Sequence, residues 1–231
     1  MSEVMTELDW ALLGRASCEG DGTDLFDAAL RARVLDTGLE LAGDLSAALR
    51  DATGTSLYLG AEVAEVPVML AEQIVLGRTI TWLNLDGPIP HELARALGVV
   101  GARLGVELPS PSSRALTSLA PRACDHLWMV SVLSDPDQFP ALHDALYARK
   151  SGPLATGKGD LARDREAAER LVNDWLDRAK PDCVVTTTDE ELTIVEPLVA
   201  RRGGTLDIAP GGRISAVVGD RIRIGRIRLP K

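Results

Sequence analysis

The pattern of apolar residues changes character near residue 55. Before that point, apolar residues recur near every 3.6 positions, which predicts helices with one buried face. A short helix is expected within residues 1–22, followed by a loop at 18–22. Thr23 and Asp24 can cap a second helix. Gly38 and Gly43 are candidate breaks within it. We therefore expect a helical segment over residues 1–54.

After residue 55, short apolar runs rich in β-branched residues alternate with amphipathic stretches. The runs predict strands over 56–59, 78–85, 106–108, 125–133, 183–188 and 205–208. The stretches between them predict helices over 63–75, 91–104, 114–119, 141–149, 163–179 and 192–202. Residues 213–218 and 221–229 flank Gly219-Asp220, a two-residue turn signal, and predict a β-hairpin.

This order of elements indicates an α/β fold with a doubly wound, mostly parallel sheet and a C-terminal antiparallel β-hairpin. The predicted domain covers residues 55–231. In such sheets ligands bind beyond the carboxyl ends of the strands, where the strand order reverses. The candidate site residues are therefore those at or just beyond the carboxyl ends of the strands: Gly60, Ala61, Glu62, Asn84, Asp86, Ser131 and Asp135.

Composition narrows the function classes. The 231 residues carry 25 Lys and Arg against 34 Asp and Glu, a net charge of −9, which argues against a nucleic-acid binder. No apolar run reaches the roughly 18 residues that a membrane helix needs. Three widely spaced cysteines without a signal-peptide pattern favour the cytoplasm, with no zinc knuckle. Three scattered histidines predict no metal site.

The first strand and its turn carry a family resemblance. Class I S-adenosylmethionine-dependent methyltransferases place an acid–x–Gly–x–Gly–x–Gly motif there. In the corresponding segment, Tyr58 to Ala64, Gly60 matches, Tyr58 stands at the acid position, and Glu62 and Ala64 replace the later glycines. Asn84 stands where the family has an acid for the ribose. Residues 125–133 and the C-terminal strand–turn–strand resemble the family's fourth strand and closing hairpin.

The resemblance implies a cofactor and a reaction class. S-adenosylmethionine is the implied cofactor, with Tyr58, Gly60, Ala61, Asn84, Asp86 and Ser131 as its binding residues. The implied activity is transfer of a methyl group to a small molecule. Nicotianamine synthases in this family transfer the aminobutyrate arm instead. Glu62 and Asp135 are the candidate catalytic residues.

Glu62 leaves alternatives open. Its charge would repel the cofactor's carboxylate, so the cofactor binds in an altered pose, the ligand is cationic, or cofactor binding has been lost. A protein without S-adenosylmethionine chemistry would be a non-catalytic partner subunit, or an enzyme that uses Glu62 as acid or base. Glu62 and Glu65 also suit the first turn of a helix. Asn84 and Asp86 equally suit a loop cap, and 189–191 an N-cap.

Other motifs have simpler interpretations. Residues 152–158 have GxxxxGK spacing, but Gly159 follows in place of Ser or Thr, so a flexible loop that could act as a lid is expected. His143 and Asp144 are expected on a solvated surface. Trp82 and Trp128 are expected in the core. The Arg and Ile residues of 221–228 predict a charged edge strand; the alternative is docking to an acidic surface, for which a homodimer offers one partner.

Overall fold

The chain was analysed as a computed structural model that describes residues 2–10, 12–13, 28–49, 53–149 and 155–230. It divides into two compact units. Unit 1 comprises Met1–Ala115 and Arg213–Gly219, and unit 2 comprises Leu116–Gly212 and Asp220–Lys231. The boundary expected at residue 54 remains a prediction. The predicted loop at 18–22 and the cap at Thr23-Asp24 lie outside the described residues.

The described strands and helices follow the predicted alternation. The strands are β1 (Thr55–Leu59), β2 (Thr79–Leu83), β3 (Cys124–Met129), β4 (Ala179–Thr188), β5 (Thr205–Ile208), β6 (Arg213–Ile214) and β7 (Arg221–Arg228). The α-helices include α1 (Ser2–Glu7), α2 (Ala28–Ala48), α3 (Val66–Leu70), α4 (Pro88–Leu104), α5 (Pro140–Leu146), α6 (Leu161–Leu176) and α7 (Asp189–Arg201). Short 3₁₀ segments lie at Val63–Glu65 and Leu116–Ser118, and a π-helical turn at Ala71–Val75. The predicted α/β fold is confirmed.

In unit 1, β1 and β2 are parallel and pair in register from Thr55↔Thr79 to Leu59↔Leu83. The backbone N–H of Gly60 donates to the Leu83 carbonyl at 2.9 Å and extends this ladder by one residue. The 3₁₀, α and π turns of 63–75 confirm the helix predicted after β1. Segment 213–219 is tied to α2 because Arg213 forms ion pairs at 2.8 Å with both Glu40 and Asp44.

The strand predicted at 106–108 is wrong. Gly105 adopts a left-handed conformation (φ 67°) that ends α4, and the Val106 N–H donates back to the Gly101 carbonyl at 3.0 Å. This is a helix-terminating arrangement, so these residues close α4 instead of extending a sheet. A bridge between Leu83 and Ser112 lies beside β2 instead.

In unit 2 the strand order is β3-β4-β7-β5. The β3–β4 pair is parallel, whereas β7 is antiparallel to both β4 and β5. The predicted C-terminal antiparallel strand pair is confirmed. Its first strand is shorter than expected, since β6 has only two residues, and β7 pairs with β4 over seven. The long β4 offers more backbone partners than the short 213–218 segment.

The edge position predicted for 221–228 is also wrong, because β7 lies between β4 and β5. The regular register puts Ile222 and Ile224 on one face and Ile227 on the other, so the alternation of Ile and Arg reverses at Gly225. A Cβ atom on Gly225 would lie 2.6 Å from Ile208 Cδ1. Glycine at that point lets β5 approach β7 closely.

Core positions agree with the hydrophobic pattern. Trp82 in unit 1 and Trp128 in unit 2 are buried, as predicted, and Trp175 on α6 is also buried. Among the described residues, no helix combines the length and apolarity that crossing a membrane requires.

Gly38 and Gly43 do not break α2, which runs through both. Gly38 instead permits a helix contact, because a Cβ atom there would lie 2.6 Å from Pro67 Cβ, whereas nothing lies within 4 Å of one on Gly43. We predict that Gly38→Ala lowers the free energy of unfolding by about 1–3 kcal/mol through overpacking. Gly43→Ala should raise it by up to about 1 kcal/mol through helix propensity. Urea denaturation of both variants measures the difference. Equal effects would contradict the packing role of Gly38.

Candidate functional site

The turn after β1 is built around one carbonyl group. Gly60 has φ 69°, a left-handed conformation that glycine adopts without strain. The turn directs the Ala61 carbonyl inward, where it accepts hydrogen bonds from Trp82 Nε1 and Asn84 Nδ2, both at 2.9 Å. Ala61 itself is buried. This turn is therefore anchored to β2 by two side chains, Trp82 near the end of the strand and Asn84 directly after it.

Asn84 has both ends of its amide engaged inside unit 1. Nδ2 donates to the Ala61 carbonyl, and Oδ1 accepts the Leu85 N–H at 2.8 Å. Its side chain thus caps the loop, the alternative that the sequence left open. A ribose contact by Asn84 would require these bonds to break.

Asp86 lies two residues further along the same loop and has a different environment. Its carboxylate is exposed, with His91 Nε2 2.8 Å from Oδ1. Both side chains are about 70% exposed, so the contact is easily exchanged for another partner. Asp86 is the accessible acidic acceptor at this end of β2.

Glu62 and Glu65 open the helical segment that follows. The Glu65 carboxylate accepts the Glu62 backbone N–H at 2.8 Å, the first-turn arrangement expected of these acids. Burial raises the pKa of Glu65 to about 7, and the neighbouring charge of Glu62 adds to this. The side chain of Glu62 is half-buried.

Tyr58 lies in the interior of unit 1 and not at the turn. Its hydroxyl donates to Glu72 Oε1 at 2.5 Å, and Ser56 donates to the other carboxylate oxygen. Arg78 Nε lies 3.1 Å from Glu72 Oε2, completing a buried ion pair. Burial and the charge of Glu72 raise the pKa of Tyr58 well above its usual range. Only the backbone of Tyr58 is placed to meet a ligand.

The two remaining predicted residues, Ser131 and Asp135, belong to unit 2 and follow β3. Ser131 has φ 60°, and its hydroxyl donates to Asp220 Oδ2 at 2.7 Å. Asp135 Oδ1 accepts the Asp137 N–H at 2.8 Å, so its carboxylate supports its own turn. The described contacts of that carboxylate are with backbone N–H groups and include no side chain that would support a catalytic role.

Glu191 holds the loop after β3. Its buried carboxylate accepts the N–H groups of Val132 and Leu133 through Oε1 at 2.7 and 3.0 Å. Oε2 accepts the Thr187 hydroxyl at 2.8 Å and the Thr188 N–H at 3.2 Å. The predicted first-turn role of 189–191 is thus correct, with Thr188 as N-cap of α7. Burial raises the pKa of Glu191 to about 7 against the lowering effect of these donors.

Asp220 and Tyr147 were not anticipated from the sequence. Asp220 is 5% exposed, and the Tyr147 hydroxyl lies 2.7 Å from both of its carboxylate oxygens. Burial, followed by the hydrogen bond to Asp220, raises the pKa of Tyr147 far above its usual value. The two residues are 73 positions apart, and no local motif links them.

His143 is buried, which corrects the expectation of a solvated side chain. Its Nδ1 lies 2.5 Å from the Ser134 carbonyl and must donate to it, so Nε2 accepts from Arg149 at 2.5 Å. The Arg149 guanidinium lies over the Tyr147 ring, 4.6 Å from its centre.

The loop that contains the GxxxxGK spacing is described from residue 155 onward; 151–154 lie outside the described residues. The N–H groups of Thr156 and Gly157 donate to the Asp144 carboxylate at 2.8 and 3.0 Å. These bonds lower the pKa of Asp144. Backbone donors engaged by a carboxylate do not form a phosphate cradle. A lid role remains a prediction.

Solved structures of other proteins align with this chain over nearly its whole length. The chain aligns over 99% of its length with a point variant of MtNAS, a nicotianamine synthase, at 13% identity and a TM-score of 0.52, spanning 71% of that chain. The same variant in complex with S-adenosylmethionine aligns over 100% of this chain and 73% of its own, at 14% identity and a TM-score of 0.50. The fold is that of the class I S-adenosylmethionine-dependent methyltransferases. The predicted resemblance is thereby confirmed for the fold.

A suggested transferase from Pyrococcus horikoshii aligns over 84% of this chain at 10% identity, with a TM-score of 0.48. The present chain spans 64% of that protein's length, which is less than two thirds. The sequence matches no protein-family model and no curated protein.

The raised pKa of Glu191 has a consequence for stability. The folded state binds a proton between pH 4.5 and about 7 that the unfolded state has released, so Glu191's contribution is full below pH 4.5 and is lost as the pH rises through 7. We predict that the stability difference between the native chain and Glu191→Gln, measured by urea denaturation, falls over this interval by on the order of 3 kcal/mol.

Glu196→Gln, an exposed acid on the same helix, is the matched control and should show no such trend. A native-to-Glu191→Gln difference that grows with pH would mean that the four donors outweigh burial.

Proposed function

We propose that this protein is an S-adenosylmethionine-dependent transferase that acts on a small molecule. The observation that carries the proposal is the alignment of the whole chain with a protein solved in complex with S-adenosylmethionine. The turn after β1 supports it, because Gly60 lies at the edge of the β1–β2 pair where this fold binds ligands.

The residues of unit 1 fit the nucleoside part of the cofactor. Gly60 lets a ligand approach the backbone of the turn, and Tyr58 and Ala61 would contribute only main-chain contacts. Asp86 carries the exposed carboxylate that ribose hydroxyls require. We therefore assign the ribose contact to Asp86 and a loop-supporting role to Asn84.

Glu62 fits the cationic groups at the other end of the cofactor. S-adenosylmethionine carries an ammonium group and a sulfonium centre as well as a carboxylate. A glutamate in the turn attracts the first two and repels the third. We propose that Glu62 faces the cationic groups, with the carboxylate turned away from it.

S-adenosylmethionine supplies a carbon atom made electrophilic by its bond to sulfur. The chain's contribution is then to bind, orient and exclude water. Gly60 and Asp86 would hold the nucleoside, and Glu62 would orient the cationic arm. Holding donor and acceptor in line is the main source of acceleration in such a transfer.

The group transferred is the methyl group or the aminobutyrate arm. The alignment with a nicotianamine synthase over nearly the whole chain favours the second. The two are separated by their nucleoside products, because methyl transfer leaves S-adenosylhomocysteine and aminobutyrate transfer leaves methylthioadenosine. Mass spectrometry of a reaction with cell extract as the acceptor source is expected to show methylthioadenosine. Accumulation of S-adenosylhomocysteine alone would assign methyl transfer.

A second candidate is a methyltransferase-like protein without S-adenosylmethionine chemistry, either a partner subunit or an acid–base enzyme. The internal bonds of Asn84 and of the Ala61 carbonyl favour it, since they remove two polar groups from ligand binding. In that case Glu65, with a pKa of about 7, suits acid–base work at least as well as Glu62.

The net charge bears on the cellular location and on the partners of this protein. We propose a cytoplasmic role in small-molecule biosynthesis, with no nucleic-acid or membrane partner, because the net charge of −9 opposes anionic surfaces. A homodimer is the proposed assembly. Gel filtration tests it.

Calorimetry with S-adenosylmethionine and S-adenosylhomocysteine tests cofactor binding directly. We predict micromolar affinity for the native chain and a loss of at least about tenfold in Gly60→Val, since a β-branched side chain at positive φ both strains and fills the turn.

Gly77→Val is the matched control. Gly77 has φ 64° and lies ahead of β2, at the other end of the strand from Asn84, so the backbone strain is comparable and affinity should be unchanged. No heat with either nucleoside would favour the second candidate.

A further inference from the structure

A cavity of about 510 Å³ lies in unit 2 between the start of α5 and one face of α6. Its volume is within the range of small-molecule sites. Pro140 at the start of α5, Gly159 ahead of α6 and Ala167 within α6 are among its lining residues. Every lining residue belongs to unit 2, and none of them is assigned above to S-adenosylmethionine.

The loop that forms one wall of the cavity is fixed in place. Gly159 has φ 82°, and a Cβ atom there would lie 2.9 Å from Pro140 Cγ and 3.0 Å from the Ala141 nitrogen. Glycine therefore lets the loop lie directly against the start of α5. The Thr156 hydroxyl donates to the Pro140 carbonyl at 3.0 Å, and the Thr156 N–H donates to Asp144 at 2.8 Å. This wall is thus built without a ligand.

The two acids that line the cavity serve the backbone. Asp160 is the N-cap of α6, and its Oδ1 atom accepts the Arg163 N–H at 3.0 Å. Asp164 Oδ2 accepts the N–H groups of Ala141 and Leu142 at 2.8 and 3.4 Å. Hydrogen bonds from backbone donors stabilise a carboxylate and offset part of its charge.

Two arginines line the same cavity and are less committed. Arg163 and Arg170 are seven residues apart on α6, so they share one face of the helix at a separation of roughly 10 Å. The small side chain of Ala167 lies between them. The Arg163 guanidinium has no hydrogen bond or ion pair within the part of the chain that the structure describes. Arg170 pairs with Glu166, but the two side chains are 62% and 73% exposed, so this pair is easily exchanged.

We propose that this cavity binds a small dicarboxylate, with one carboxylate at Arg163, the other at Arg170 and the apolar chain between them over Ala167. A guanidinium presents a planar pair of donors that matches a carboxylate. A ligand with a single anionic group would leave one arginine unused. Asp160 and Asp164 disfavour phosphates, which carry more negative charge than carboxylates.

The test is calorimetric titration of the full chain with adipate and with hexanoate. Both probes have six carbons and differ by one carboxylate, so the comparison isolates the second anionic group. We expect adipate to bind at least tenfold more tightly than hexanoate. Raising the salt concentration should weaken adipate binding, because the attraction is electrostatic.

Two variants with matched controls locate the ligand. Arg163→Gln should lower adipate affinity at least fivefold, whereas Arg165→Gln removes the same charge from an exposed position outside the cavity and should leave affinity unchanged. Ala167→Leu should also lower affinity at least fivefold, because it fills the space between the arginines without changing the charge. Ala162→Leu, at an exposed position on the same helix, is its control.

Asp160→Asn tests the electrostatic part from the opposite side. Asparagine can still cap α6 but no longer repels an anion, so adipate affinity should rise at least twofold. A fall in affinity would contradict this role of the charge.

Thermal melting of each variant establishes that it is folded before titration. Absence of adipate binding up to about 10 mM, equal binding of hexanoate, or equal losses in Arg163→Gln and Arg165→Gln would each overturn the proposal. The heat of S-adenosylmethionine binding should be the same in Arg163→Gln as in the native chain. The dicarboxylate site and the proposed cofactor can therefore fail independently of each other.

Discussion

The arrangement beyond β3 depends on one buried carboxylate. Glu191 binds the backbone of Val132 and Leu133 on one side and the end of β4 on the other. Four donors arranged around two oxygens leave this loop few alternative conformations, because releasing it would bury unsatisfied N–H groups. Ser131, directly ahead of the loop, is thereby held at a positive φ with its hydroxyl on Asp220.

The turn after β1 is also held by hydrogen bonds to a single group, in this case a neutral backbone carbonyl. There the Ala61 carbonyl accepts from Trp82 and Asn84, and a glycine supplies the backbone conformation. Both turns follow parallel strands, where backbone groups run out of sheet partners. In both, a side chain from a neighbouring strand or helix replaces the missing partner. The acidic group that stays exposed after β2 is Asp86.

The arginines of β7 show how charge is distributed in unit 2. Arg223, Arg226 and Arg228 each lie within ion-pair distance of an aspartate: Asp189, Asp182 and Asp207 respectively. These pairs are largely exposed and contribute little stability individually. Their effect is to pair the arginine charges of β7 with acids on α7, β4 and β5.

Periodicity and turn chemistry were sufficient to predict most elements, the α/β class and the edge where the turn at Gly60 lies beside Asn84. These depend on neighbours within about four residues and on the rule that parallel strands end together. The strand at 106–108 failed because Gly105 turned those residues into the end of a helix. The pairing of β7 with β4 could not be predicted locally, because the paired residues are 34 or more positions apart.

What only the tertiary structure decided is which polar groups face each other. The sequence marks Asn84 and Asp86 alike as polar residues after a strand, and only packing shows that the first is engaged by a carbonyl and the second is exposed. No local signal links Asp220 with Tyr147 or Ser131, since hydrogen bonds between residues 73 or more positions apart follow from the tertiary fold and not from spacing. Local patterns determine elements because their energies are local; a site made by distant segments exists only once the chain has folded.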